Sequence, residues 1–298
     1  MEWKGIKGTV LKDVPMKRYT SMKVGGQAAY LVYPIDEADI AKTLRYVKDR
    51  DIKYRFLGNG TNVIVSDRGL NEVLIRITKM KHVRYTKTKS GAVADVSGGV
   101  SLRTFVKDSA EKGLSGVEKL YWIPGTIGGG IKMNAGSFGQ SISDTLEEIC
   151  LIDARGNMST LGGNRFRFGY RTSPVGTSDC VASARFVLKN RSKTEILKDM
   201  DYVYKERKKR HPMEYPSAGS IFKSVNGEPA WKFIEKAGLK GLSMGGACVS
   251  EKHANFIVNL GSAKAQDIKN LIGKIKKEVY EKLGVTLSEE VELWGFNG

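Results

Sequence analysis

Residues 123–136 read Ile-Pro-Gly-Thr-Ile-Gly-Gly-Gly-Ile-Lys-Met-Asn-Ala-Gly, which puts Gly125, Gly128, Gly129, Gly130 and Gly136 among apolar neighbours with a single charge. Flexible linkers are polar and solvated, so so apolar a segment is expected to be buried. Glycine removes the side chain and lets another group approach the main chain closely. A buried run of amide donors calls for an anion, and diphosphate is the usual one, because successive N–H groups of a glycine turn form a concave anion site. A branched side chain at Gly128 is accordingly expected to fill the phosphate's place.

The chain has 298 residues, 41% apolar and 27% charged, enough for two or three domains with their own cores. The first ten residues lack the apolar core of a signal peptide, and no stretch reaches the roughly 18 apolar residues of a membrane span, so a cytoplasmic protein without membrane insertion is expected. Cys150, Cys180 and Cys248 are odd in number and set in strand-like sequence, which reads as buried thiols rather than a disulfide or metal site. His82, His211 and His253 are scattered, and no zinc or haem spacing occurs; no metal is expected.

Lys and Arg total 49 against 32 Asp and Glu, a net charge of +17 that raises nucleic acid as a partner. The densest run, Lys205 to Arg210, has no stacking aromatics interleaved with it. It reads as a solvated helix end, or as a local anion site that steers a multiply charged small substrate.

Apolar spacing predicts helices over Asp36–Arg50, Leu102–Lys112, Lys193–Arg210 and Pro229–Ala237, and a last helix carrying Ala265, Ile268, Leu271, Ile275, Val279 and Leu283 on one stripe. Strands are expected at Tyr30–Tyr33, Tyr54–Leu57, Val63–Val65, Val73–Ile77, Val93–Val96, Glu148–Asp153, Val181–Leu188 and Phe256–Asn259. This mixture argues for α+β domains with antiparallel or mixed sheets, with seams near 83 and 191.

Leu57-Gly-Asn-Gly-Thr-Asn62 supplies Gly58, Gly60, the amides of Asn59 and Asn62 and the hydroxyl of Thr61 between two strands. Its composition suits a plain turn. Beside the 123–136 segment it also suits a two-sided clamp on a diphosphate. Neither stretch is a Rossmann fingerprint or a P-loop. Arg171, in Phe168-Gly-Tyr-Arg-Thr-Ser173, reads either as a solvated arginine or as a planar clamp on a carboxylate. Ser220 lies outside any Gly-x-Ser-x-Gly elbow, so a turn serine is the plainer reading. Leu287–Leu293 alternates as an edge strand would, with Glu290 and Glu292 on one exposed face.

Taken in order, Thr20-Ser-Met-Lys-Val-Gly-Gly26, Leu57–Asn62, Ile123–Gly129 with Met133–Gly136, Tyr170-Arg171, Pro216-Ser-Ala-Gly-Ser220 and Glu289-Glu-Val-Glu292 resemble the UDP-N-acetylenolpyruvoylglucosamine reductases, over residues 18 to about 296. The resemblance implies an FAD-dependent, NADPH-consuming enzyme of bacterial peptidoglycan synthesis, and so of cell-wall biogenesis, cell shape and cell division. Its implied fold is α+β: a two-lobed FAD-binding domain of the vanillyl-alcohol-oxidase (PCMH) type over residues 1–83 and 84–191, and a substrate-binding domain over 192–298. Gly58, Asn59, Gly60, Thr61 and Asn62 would hold the FAD diphosphate on one side, and Pro124, Gly125, Thr126, Gly128, Gly129, Asn134, Ala135 and Gly136 on the other. Arg171 would bind the enolpyruvyl carboxylate of UDP-N-acetylglucosamine enolpyruvate, Ser220 would be the proton donor, and Glu290 would lie across from the arginine; Tyr170 and Lys223 would accompany the substrate.

Three departures stand out. Thr61 replaces a usual serine, Ser224-Val225 replaces Asn-Pro or Arg-Pro, and the insertion that carries a tyrosine over the substrate is missing, as in the family's shorter branch. Two rival readings are a non-catalytic nucleotide- or nucleic-acid-binding protein on the same scaffold, and an FAD oxidase of the wider fold. The glycine segment lacks the histidine or cysteine of covalent flavin attachment.

Overall fold

The computed structural model describes residues 3–163 and 166–296, so the outermost two residues at each end of the expected domain bounds lie outside the described residues. The chain forms two compact units: Met1–Lys12 with Tyr30–Asn59 and Glu72–Glu206, and Asp13–Ala29 with Gly60–Asn71 and Arg207–Gly298.

The first unit is built on an antiparallel sheet in the order Met158–Gly162, Leu146–Ile152, Cys180–Asn190, Gly91–Ser97, Val83–Lys87, with Leu114–Ser115 pairing on the end of the long strand. Helix α1 (Glu37–Lys48) is started by Asp36, whose carboxylate accepts from the Asp39 amide at 2.7 Å, and it buries Ile40, Leu44 and Val47 as the periodicity predicts. Helix α2 (Leu102–Glu111) buries Leu102, Phe105, Val106 and Ala110. Phe105 and Phe186 are both fully buried, their ring centroids 4.9 Å apart, and removing each from water contributes about 1.5–3 kcal/mol.

The glycine segment departs from the expected turn: Ile127–Lys132 forms a short helix, α3. Three glycines disfavour a helix by nearly 1 kcal/mol each relative to alanine, so what holds it is the Thr126 cap and tertiary packing of Ile127 and Ile131, both fully buried. Helix α4 spans Lys193–Arg210, as expected.

In the second unit, strands Ser217–Ser220, Phe256–Asn259, Ala247–Val249 and Ser243–Met244 form an antiparallel sheet in that order. Helix α5 (Ala230–Lys236) and helix α6 (Ala265–Leu283) belong to its core, and α6 buries Ala265, Ile268, Leu271, Ile275 and Val279 along the expected stripe. Gly284, at φ 66°, ends α6 in the left-handed region. The N-terminus of α6 is capped from afar, by Asp67 accepting from the amides of Ala265 and Gln266 at 3.0 Å each. The C-terminal strand is shorter than alternation suggests: Glu292–Trp294 pairs parallel with Val63–Val65, while Glu289 forms an isolated bridge to Phe222.

Of the cysteines, Cys180 is buried, but Cys150 and Cys248 are half-buried, and all three are thiols. Among the described residues, no helix is long and apolar enough to cross a membrane.

Candidate active site

In the first unit the two glycine-rich turns meet. A Cβ on Gly58 would lie 2.8 Å from the Thr126 hydroxyl, and one on Gly129 would lie 3.3 Å from the same oxygen. Side chains on either glycine would therefore crowd one small space. The backbone corrects the expectation of a continuous run of open amides. Ile127 and Gly128 donate to the carbonyls of Val100 and Gly98 (both 2.8 Å), Gly129 donates to Thr126 Oγ1, and Gly130 and Ala135 donate to Thr126 and Gly130 carbonyls. Gly128 corrects another expectation, because its Cβ would face the Gly98 and Val181 carbonyl oxygens at 3.2 and 3.3 Å. Glycine is needed there so that α3 can lie against the main chain.

What remains open is smaller and better defined. Among the described residues of this unit, the amides of Gly58, Asn59, Gly125 and Thr126 have no protein acceptor. Arg76 fixes the first turn: its Nε donates to the Gly58 carbonyl at 3.0 Å and its Nη1 to the Tyr33 hydroxyl at 3.2 Å. Sequence reading missed this arginine, whose one signal is a cation at the end of an apolar strand.

Asn134, at φ 41° and 8% exposed, donates from Nδ2 to the Gly169 carbonyl at 2.9 Å, while its Oδ1 is buried with no partner among the described residues. That bond ties the 123–136 segment to the turn carrying Tyr170 and Arg171. Gly169 and Thr172 close the turn by reciprocal 3.2 Å bonds, which leaves Arg171 at φ 54°, uncommon for a side-chain-bearing residue and worth about 1–3 kcal/mol of strain. Its guanidinium stands 5.2 Å from the ring centroid of the exposed Tyr170. Open amides, the Arg76 guanidinium on the Gly58 carbonyl and a buried amide oxygen fit a group with a diphosphate and polar edges, as FAD has.

In the second unit the segments carrying Ser220 and Glu290 lie side by side. Ser220 ends its strand opposite Phe256, and Glu290 donates its amide to the carbonyl of Ile221, the next residue, at 2.8 Å. Asn255 clamps Phe222 from the other side, accepting from its amide at 2.9 Å and donating to its carbonyl at 2.8 Å. Lys223 donates its amide to Ser288, and Lys276 pairs with both oxygens of Glu289 at 2.8 and 3.0 Å. Glu290 is half-buried, not on the open face that alternation suggests, because this segment lies alongside 221–223. Val225 pairs with Glu228 where the family has proline, so a tight turn follows Ser224.

The 58–62 turn continues into this unit. Gly60, at φ 63°, leaves no room for a Cβ, which would overlap the Tyr19 carbonyl oxygen. Asn62, expected on the cofactor, donates from Nδ2 to the Glu290 carbonyl at 3.1 Å. Nor are the histidines all scattered: His211 and His253 lie 5.3 Å apart, edge to face, each against Phe256. Burial, then the nearby cation of Arg207, pushes His211 down to about 3; burial lowers His253 as well. Arg207 is itself lowered, to about 10, by burial.

Comparison with known proteins agrees with both halves. Residues 28–162 match the FAD binding domain model, and residues 211–294 match that of the UDP-N-acetylenolpyruvoylglucosamine reductase C-terminal domain. The reductase of Carboxydothermus hydrogenoformans is 39% identical over 293 residues, 98% of this chain and 96% of the relative. That of Caldicellulosiruptor bescii is 40% identical over 288 residues, 96% and 90%. The crystal structure of the Thermus caldophilus enzyme is 34% identical, covers 97% of this chain and 99% of its own, and superposes with a TM-score of 0.79. The 6-hydroxy-D-nicotine oxidase of Arthrobacter nicotinovorans, 17% identical with a TM-score of 0.50 over 97% of this chain and 62% of its own, shares the fold alone, that of the vanillyl-alcohol-oxidase flavoproteins. Nearly full-length identity of this order, on a fold whose two glycine turns converge on one hydroxyl, leads to one conclusion: the chain belongs to the family of UDP-N-acetylenolpyruvoylglucosamine reductases, FAD-dependent oxidoreductases.

Proposed function

We propose that the protein reduces the enolpyruvyl ether of UDP-N-acetylglucosamine enolpyruvate to UDP-N-acetylmuramate in the cytoplasm, with NADPH as reductant, as a step of peptidoglycan precursor synthesis. The observation that carries the reading is the side-by-side seating of the Ser220 and Glu290 segments through the Glu290 amide and Ile221 carbonyl. Bound FAD, once reduced by NADPH, would supply the hydride that goes to C3 of the enol ether.

The protein's own groups bind, hold charge and move a proton. Arg171 takes the substrate carboxylate in its planar fork, on a turn of strained backbone that Asn134 ties to the 123–136 segment through the Gly169 carbonyl. As negative charge spreads into that carboxylate, the guanidinium and the acid form of Glu290 stabilise it where it develops. The Ser220 hydroxyl delivers the proton to C2, and because an isolated hydroxyl is a weak acid, the neighbouring Glu290 assists it. Tyr170 and Lys223 line the substrate.

The amides of Gly58, Asn59, Gly125 and Thr126 grip the diphosphate, with Gly129 leaving it room and Asn134 holding a polar edge. By sequence block, residues 1–83 and 84–191 serve FAD and 192–298 serve the substrate, with 13–29 and 60–71 joining the latter. The test is direct. The purified protein should be yellow and should oxidise NADPH when the enolpyruvyl nucleotide is supplied; a colourless preparation that takes up no added FAD refutes the reading.

A further inference from the structure

Asn62 belongs by sequence to the turn proposed to serve the cofactor, yet its side chain and its backbone each bond to the segment carrying Glu290. Its Nδ2 donates to the Glu290 carbonyl at 3.1 Å, and its own carbonyl accepts the Glu292 amide at 2.9 Å. The two bonds bracket Glu290-Val291-Glu292 like one more strand. On the opposite edge Glu290 donates its amide to Ile221. The residue is therefore held on both sides, by the serine-bearing segment and by Asn62. Such bracketing sets the direction in which the Glu290 side chain leaves the backbone, and active-site groups must be held within about 0.5 Å of their working geometry.

We infer that Asn62 is a positioning residue for Glu290, so that the last residue of the cofactor turn, and not a cofactor contact of its side-chain nitrogen, sets the geometry of the acid. The inference rests on the role proposed for Glu290. A side-chain carboxamide suits the task because it duplicates a peptide group, offering a donor in the plane where the Glu290 carbonyl needs one. Valine or leucine at this position would remove the carboxamide bond to the Glu290 carbonyl. The sequence separation of 228 residues means that the arrangement exists only in the folded chain.

The experiment uses the FAD-loaded full-length protein and three variants: Asn62→Leu, Glu290→Gln and the double variant. For Asn62→Leu, FAD affinity by titration and the rate of flavin reduction by NADPH should stay within about threefold of the parent. Reoxidation of the reduced flavin by the enolpyruvyl nucleotide should slow about tenfold, the scale of one lost hydrogen bond. In the Glu290→Gln background the same substitution should add less than about threefold, because the residue acts through Glu290. A tenfold or greater loss of FAD affinity with normal reoxidation in the loaded fraction would make Asn62 a cofactor ligand and overturn the inference. So would full additivity in the double variant.

If Glu290→Gln by itself leaves reoxidation at the parent rate, the reading of Glu290 fails, and the positioning role fails with it. If Glu290→Gln is slow and Asn62→Leu is not, the positioning role alone fails. Should Asn62→Leu not fold, Asn62→Gln, which keeps the donor but displaces it by a methylene, is judged by the same criteria.

Discussion

Gly128 and Gly129 are neighbours in one short helix, and substitution should affect them in opposite ways. A Cβ on Gly129 would meet one atom, the Thr126 hydroxyl at 3.3 Å, which can rotate aside, and its backbone is ordinary helix. Valine there should leave the FAD-free protein within about 1 kcal/mol of the parent, since its helix propensity exceeds that of glycine by a few tenths of a kcal/mol. Its methyl groups, however, would enter the space shared with Gly58. Overfilling a close-fitting site costs about 1–3 kcal/mol, a loss of roughly 5- to 150-fold in FAD affinity. A Cβ on Gly128 would instead sit 3.2 and 3.3 Å from two main-chain carbonyl oxygens and 3.5 Å from the Val181 Cβ, none of which can rotate away. Valine there should destabilise the protein itself by about 1–3 kcal/mol, which lowers the melting midpoint by about 2–4 °C per kcal/mol for a unit of this size. Melting the FAD-free proteins separates the two effects, because bound FAD would otherwise mask them by mass action; titration of flavin fluorescence then gives the affinities. The reasoning fails if Gly129→Val binds FAD like the parent, or if FAD-free Gly128→Val melts like the parent.

Ser220→Ala should spare flavin reduction by NADPH and slow transfer to the enolpyruvyl nucleotide by about 10²- to 10⁴-fold, seen in stopped-flow measurement of the two half-reactions; an equal fall in both would exclude a proton donor. Asp67→Asn should weaken the remote cap of α6 by about 1–2 kcal/mol, read as a lower denaturation midpoint with unchanged FAD affinity. His211 titrates near 3 in the fold and near 6.5 when unfolded, so between those values the unfolded chain binds more protons. Its contribution is complete above about pH 6.5 and declines by up to about 1.4 kcal/mol per pH unit as acid is added. His211→Phe should therefore flatten the fall in melting midpoint between about pH 7 and pH 5, and an unchanged slope would show that the imidazole is not what titrates.

Helices α1 and α6 were readable because each carries its apolar residues at helical spacing, a property set by neighbours a few positions away. The 57–62 and 123–136 turns stood out for a related reason, glycines gathered in apolar surroundings, although some of them serve close approach of the chain's own backbone, as Gly60 and Gly128 do. Helix α3 was not readable, since its glycines oppose a helix and the Thr126 cap with the Val100 and Gly98 carbonyls imposes one. The roles of individual amides were equally hidden, because which donors stay open depends on which carbonyls the fold brings within reach.

Composition and local order thus determined α+β domains with two glycine-rich turns, and the resemblance of the ordered motifs to the reductase family added the expectation of a flavin. Tertiary structure decided the rest: that Gly58 and Gly129 share one hydroxyl, that Arg76 steadies the turn, that His211 and His253 pack on Phe256, and that Asn62 reaches Glu290. Each of these joins residues far apart in the chain. Local sequence fixes propensity and spacing, but hydrogen bonds and close approaches between distant segments arise only when burial has brought their backbones together.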